Sequence, residues 1–155
     1  MVEVSATVPA PPEAVFEVLA DGWSYSGWVV GSCHIRDVDA SWPQVGARIH
    51  HSVGGWPLQL EDTTAVLAVE PGASLELEAR GGALGTARIE LSLVPDGAGE
   101  TTVRMAERVT GGMGALLPER VQALVLGPRN RESLARLSAL ASGRWRGTGE
   151  PSGQP

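Results

Sequence analysis

From Cys33 to Thr110 the chain is a run of alternating segments, each closed by a turn signal, and this leaves few folds open. Arg48 to Val53 sets Ile49, His51 and Val53 on one face and Arg48, His50 and Ser52 on the other. Gly54-Gly55-Trp56-Pro57 then turns the chain into Leu58 to Glu70, and Pro71-Gly72 turns it again. Ser74 to Arg80 opposes Leu75, Leu77 and Ala79 to Glu76, Glu78 and Arg80. Thr86 to Leu93 opposes Ala87, Ile89, Leu91 and Leu93 to Arg88, Glu90 and Ser92. After Pro95-Asp96-Gly97, Thr101 to Val109 opposes Val103, Met105 and Val109 to Thr102, Arg104 and Arg108. Successive side chains of a strand point to opposite faces, so a period of two marks a half-buried strand. Several such strands in succession predict a meandering antiparallel sheet with one wet and one dry face.

The flanks add one more strand and the helices. Val2 to Val8 alternates, with Val2, Val4, Ala6 and Val8 on one side. Pro9, Pro11 and Pro12 end it, and a proline at the first helical position lacks only an N–H that has no intrahelical partner there. Glu13 puts negative charge in the first turn, Val15, Val18 and Leu19 recur at helical spacing, and Asp21-Gly22 supplies a stop. Gly22 to Val30 reads as a second short, Trp-bearing segment. Leu116 to Ala141 is a long helical stretch, with a kink or break expected at Gly127-Pro128 because proline clashes with the preceding turn. Gly143 to Pro155 is mostly small and polar, too poor in apolar surface to offset its ordering entropy, and reads as a disordered tail after one domain over residues 1–142.

A twisted sheet of this size curls, and the element long enough to cover its dry face is the C-terminal helix. The inferred dry rows contain small residues (Ala6, Thr64, Ala79, Gly85, Ala87), and the chain has one Phe and one Tyr to fill space between them. This points to an apolar pocket with a few polar groups, the usual form of a small-molecule site. A core simply filled by Leu, Val and Met is the alternative.

Charge narrows the partners. The formal net charge is −6 and only 19% of residues are charged, so a nucleic-acid backbone or an anionic membrane is a poor partner. No apolar run approaches the ~20 residues that span a bilayer, and the N-terminus lacks a signal-peptide pattern, so a cytoplasmic protein without stable membrane insertion is expected. Cys33 is the one cysteine, which rules out an internal disulfide and a cysteine zinc site. His50 and His51 lie on opposite faces of a strand and cannot chelate one ion, so no metal is expected, and no cofactor is implied.

Several stretches resemble bacterial polyketide cyclase/dehydrase-type members of the START-like, or SRPBCC, superfamily. They are Trp28-Val29-Val30-Gly31, Trp42-Pro43 with Val45-Gly46, His50-His51 before Val53-Gly54, and Asp62-Thr63-Thr64 with Val66. Further on come Glu70-Pro71, Gly85-Thr86-Ala87, Val103-Arg104-Met105, and Arg129-Asn130 before Ser133-Leu134. The resemblance spans roughly residues 2 to 142. It implies an α+β helix-grip fold: a curved antiparallel sheet of about six or seven strands wrapped on a long C-terminal helix, with two short helices after the first strand. It also implies a hydrophobic ligand, lipid or polyketide-like, held between sheet and helix. It carries no catalytic signature, because one fold hosts many functions.

Candidate site residues follow from strand parity. His51 shares its face with Ile49 and Val53, Asp62 with Leu58, Leu60, Thr64 and Val66, and Glu107 with Val103, Met105 and Val109. An inward His can act as acid or base near neutral pH, and an inward carboxylate must be paired or neutralised. If the three converge at one end of the pocket, a pair of them should lie within hydrogen-bond reach. The competing readings are a hydrogen-bonded core histidine and strand ends or bulges that turn the carboxylates to water. The pocket lining is expected from Trp28, Ile49, Trp56, Leu60, Thr64, Leu77, Ile89, Met105 and Leu124. Trp23, Trp28, Trp42 and Trp56 stand beside turns, suiting either a pocket rim or loop plugs. Arg120, Arg129, Arg131 and Arg136 make the last helix locally basic, which a solvated face explains. Three functions fit: noncatalytic binding of a small hydrophobic molecule, a cyclase/dehydrase-like enzyme using His51, Asp62 or Glu107, and a protein-interaction module.

Overall fold

The computed structural model describes residues 1–53, 60–82, 85–97 and 99–149, and the side chains of Val53 and Leu60 are not among what is described. Strand β1 (Val2–Val8) leads into helix α1 (Pro12–Ala20), a single 3-10 turn at Gly22–Ser24 and the short helix α2 (Tyr25–Trp28). Six strands follow: β2 (Ser32–Val38), β3 (Arg48–Val53), β4 (Leu60–Glu70), β5 (Ser74–Arg80), β6 (Thr86–Asp96) and β7 (Glu100–Val109). A 3-10 turn at Met113–Leu116 precedes helix α3 (Glu119–Gly149).

The described strands form one seven-stranded sheet in the order β1-β7-β6-β5-β4-β3-β2. Every pairing is antiparallel, and β1 closes the sheet against β7 from Val2↔Glu107 to Val8↔Thr101. Register shifts interrupt the β2–β3 and β4–β5 ladders. Such irregularities bend a strand and raise its twist, so they let the sheet curl around the helices. This is the helix-grip architecture the resemblance implies, and the strand parities hold. Leu75, Leu77, Ile89, Leu91, Val103 and Met105 are buried, while Glu90, Arg88 and Arg104 on alternate positions are exposed.

Helix α3 packs on β1, α1 and α2. Its buried face is Gly127, Asn130, Leu134, Leu137 and Ala141, at helical spacing over the second half of the helix. The first half is different: Val121, Leu124 and Val125 are exposed, as are Leu116 and Leu117 before it. Of the kink or break expected at Gly127-Pro128, the break does not occur. Pro128 sits inside one continuous helix on an exposed position, where its missing N–H removes one backbone bond. The residues that follow are anchored: Arg129 donates to the carbonyl of Val30 and Asn130 to Glu107. The helix also continues to Gly149 instead of ending near Ala141. Arg144 Nη2 lies 2.9 Å from Asp21 Oδ2, tying this extension to the end of α1. Residues 150–155 of the expected tail lie outside the described residues. No described helix is long and apolar enough to cross a membrane.

Candidate functional site

Cross-strand register sets the site. One inner row runs Val38–Ile49–Thr64–Ala79–Ala87–Val109 across six strands. At its β3–β4 end Ile49 and Thr64 are fully buried. At its β5–β7 end Ala79, Ala87 and Val109 face inward yet remain half-buried. Two alanines side by side project only a methyl group each, so the inner face is less completely covered at this end of the sheet.

Two polar clusters flank the row. In the first, Thr64 Oγ1 lies 3.2 Å from Tyr25 Oη and 2.9 Å from His51 Nε2. The Tyr25 ring also stacks obliquely on His51 and edge-on against Trp28, both at 5.4 Å between centroids. Tyr25, Trp28, His51 and Thr64 are all buried. Burial lowers the His51 pKa from 6.5 to about 4, helped by the nearby positive charge of Arg36 and by His50. His51 is thus a neutral imidazole at physiological pH. Burial likewise raises the Tyr25 pKa, so it stays a phenol. Asp62 stands opposite His51 across β3 and β4 and is 7% exposed. Burial raises its pKa, partly countered by the Thr63 amide that donates to it and by the charge of Arg80.

In the second cluster Glu107 is buried under α3. Arg129 Nη1 donates to both of its oxygens at 3.0 and 3.3 Å, and Asn130 Nδ2 donates to one at 2.8 Å. Arg129 Nε also reaches the Val30 carbonyl at 3.0 Å, while Ser133 Oγ accepts the Val30 amide at 3.1 Å. Arg129 therefore ties β7, through the Glu107 carboxylate, to the segment that follows α2. The charges of Arg129, Glu107 and Asp62 all act on the Tyr25 hydroxyl.

The residues proposed from parity separate as follows. His51, Asp62 and Glu107 are all buried and inward, so neither carboxylate is turned to water by a bulge. They do not bond to one another, however: His51 bonds Thr64, Asp62 the Thr63 amide, and Glu107 the α3 pair. Trp28, Ile49, Thr64, Leu77, Ile89 and Met105 are buried. Leu124 is not: it is 76% exposed, because its half of α3 stands off the core. Trp56 and the side chain of Leu60 lie outside the described residues. Trp23 is exposed, and Trp42 donates its indole N–H to the Leu19 carbonyl at 3.1 Å, holding the β2–β3 connection against α1. Spacing and parity passed over Tyr25 and Arg129. The one available signal for Arg129 was the Arg129-Asn130 pair itself, two polar residues preceding a buried apolar face.

A depression on the opposite, outer face holds about 370 Å³ and is lined by Glu3, Glu76, Glu90 and Arg104 among others. Its charged rim suits it poorly to an apolar molecule.

The neutral His51 makes a pH prediction. A group whose folded pKa lies below its unfolded value stabilises the fold fully above about pH 6.5, and that stability is lost as pH falls toward 4. The full difference amounts to about 3 kcal/mol. Chemical denaturation at pH 7 and pH 4 should show wild type losing more stability than His51→Gln over this interval; equal losses would mean that His51 titrates normally.

The family described as polyketide cyclase / dehydrase and lipid transport matches residues 1–142. No curated protein matches the chain. Among solved structures, the Zhui aromatase/cyclase from a Streptomyces species is similar at 21% identity, with 97% of this chain and 98% of that chain covered and a TM-score of 0.67. Ara h 8.0201 is similar at 13% identity over 91% of this chain and 96% of that chain, with a TM-score of 0.66. A Chromobacterium violaceum protein is 20% identical over 91% and 96% of the two chains, with a TM-score of 0.68. At these identities the structures speak for the fold, and the sequence match speaks for the family: the chain belongs to the polyketide cyclase / dehydrase and lipid transport family of the SRPBCC superfamily.

Proposed function

We propose that the protein binds a small hydrophobic ligand between the inner face of the sheet and α3, without turning it over. The supporting observation is the stretch at Ala79, Ala87 and Val109, inward-facing apolar positions that are only partly buried. Apolar surface facing inward but wet favours an apolar guest, at roughly 25 cal/mol per Å² removed from water. The buried hydroxyls and imidazole at the adjacent end supply the few polar groups that orient such a guest.

The enzyme reading has one observation in its favour, the burial of His51 and Asp62 opposite one another. Two others weigh against it. A histidine held near 4 is a weak base at neutral pH, and Glu107 is committed to Arg129 and Asn130. Turnover of a substrate, lost on alanine replacement at His51, Asp62 and Glu107, would establish the enzyme reading instead.

Native mass spectrometry of the protein purified from its own host should reveal a co-purifying apolar mass. Ala79→Phe, which places a ring into this stretch, should weaken binding of that molecule by at least about tenfold, as expected where packing space decides affinity. An affinity unchanged by Ala79→Phe would put the ligand elsewhere.

A further inference from the structure

Among the described residues, one buried side-chain nitrogen near the proposed site has no partner: Nδ1 of His51, on a residue that is 4% exposed. A buried polar atom without a hydrogen bond is costly, and its retention calls for an explanation. The hydrogen-bond chain beside it decides whether that nitrogen is a donor or an acceptor.

Tyr25 Oη, Thr64 Oγ1 and His51 Nε2 form a linear chain in which Thr64 is the middle member. Each hydroxyl has one hydrogen, and a neutral imidazole has one N–H. If the chain runs from tyrosine to histidine, Tyr25 donates to Thr64, Thr64 donates to Nε2, and the imidazole hydrogen sits on Nδ1. Every hydrogen is then used except Nδ1–H. If the chain runs the other way, Nε2–H donates to Thr64 and Thr64 to Tyr25. The phenol hydrogen then has no acceptor within the chain and Nδ1 has no donor, which leaves two unmet groups instead of one. The first arrangement leaves less unsatisfied, so His51 presents a single unpaired N–H on the inner face.

The surrounding charge limits what that N–H can meet. The carboxylate of Glu107 is matched by Arg129, whereas Asp62 opposite His51 forms no ion pair among the described residues. An anionic ligand group would meet the buried Asp62 carboxyl, while the cations that act on His51 and Asp62, Arg36 and Arg80, are themselves paired with Glu61 and Glu78. An ammonium has no acceptor to offer. An uncharged oxygen acceptor meets both conditions.

Resting on the binding proposal above, we infer that His51 determines specificity: its Nδ1–H donates to a neutral carbonyl or ether oxygen at the polar end of an otherwise apolar ligand. Thr64 and Tyr25 act as positioning residues, fixing the tautomer that carries the hydrogen on Nδ1.

Three nearly isosteric probes test this: 2-acetylnaphthalene, 2-isopropylnaphthalene and 2-naphthoate, with affinities measured by calorimetry on the full chain. His51→Phe should weaken 2-acetylnaphthalene by about tenfold, the size of one buried hydrogen bond, and leave 2-isopropylnaphthalene unchanged or tighter. An equal loss for both probes would reduce His51 to a structural role and overturn the inference while leaving the apolar site intact. Tighter binding of 2-naphthoate than of the ketone would overturn it as well. Failure of all three probes, hydrocarbon included, would remove the apolar site itself and the inference with it. Nitrogen-15 NMR of the imidazoles gives a readout independent of the variant. The free protein should show the Nδ1-protonated tautomer at His51, and the ketone alone should shift that nitrogen. A free protein with the hydrogen on Nε2 would refute the donor assignment.

Discussion

Replacing Arg129 by methionine is expected to destabilise the protein by about 3 kcal/mol, because it strands a buried carboxylate. Glu107 is 4% exposed and takes hydrogen bonds from Arg129 and Asn130. Without the guanidinium, one amide is left to solvate a full charge in the interior. Arg129 is itself partly exposed, which keeps the loss toward the lower end of the range for broken buried pairs. The same substitution frees the Val30 carbonyl and loosens the contact between α3 and the end of α2. In a chain of this length the loss corresponds to a fall in Tm of about 10 °C. The double variant Glu107→Met with Arg129→Met removes both charges and should recover most of the stability. Thermal denaturation of the two variants decides the matter. If the single variant melts like wild type, water satisfies Glu107 and the cluster holds nothing together.

Gly85→Ala should be more damaging still, by upwards of about 4 kcal/mol. Gly85 has φ +113°, and a Cβ there would lie 1.7 Å from the carbonyl oxygen and 2.4 Å from the carbonyl carbon of Gly111. The obstacle is backbone, so no rotamer change relieves it. The backbone also has little freedom to move: Gly81 donates to the Gly85 carbonyl at 2.7 Å, and Thr110 to the Thr86 carbonyl at 2.7 Å. The first closes the connection between β5 and β6 and the second binds the start of β6 to the end of β7, beside the partly buried inner positions Ala87 and Val109. Gly72→Ala is the matched control. Its φ is +76° and nothing lies within 4 Å of the added methyl, so the conformational penalty alone, about 1 kcal/mol, should appear. Urea denaturation compares them. Equal losses at the two glycines would show that the approach of Gly85 to Gly111 is not a constraint.

Both predictions concern contacts between residues distant in sequence, and there the two sources of information divide. Strand parity made the inward placement of His51, Asp62 and Glu107 legible, because a period of two fixes the face of every residue once one face is known to be dry. It could not name their partners. Tyr25 meets Thr64 across 39 residues and Arg129 meets Glu107 across 22, and no local pattern reports such meetings. His51 and Asp62 stand opposite one another in register, yet their hydrogen bonds go elsewhere, since register sets backbone neighbours and not where side-chain ends point.

The closing helix shows the same division. Alternation, turn residues and the two ends of the chain determined the element order, the dry face and the need for a covering helix. Helical spacing groups Leu134, Leu137, Leu140 and Ala141, and it equally groups Leu117, Val121, Leu124 and Val125. The first group packs on the core, Leu140 only partly buried, and the second is exposed or half-exposed to solvent. Periodicity states which residues share a face, whereas the sheet's curvature and the Arg129–Glu107 anchor decide which stretch of that face touches the core. The tertiary structure alone therefore placed Leu124 in solvent and left the inner row at Ala79 and Ala87 only partly buried.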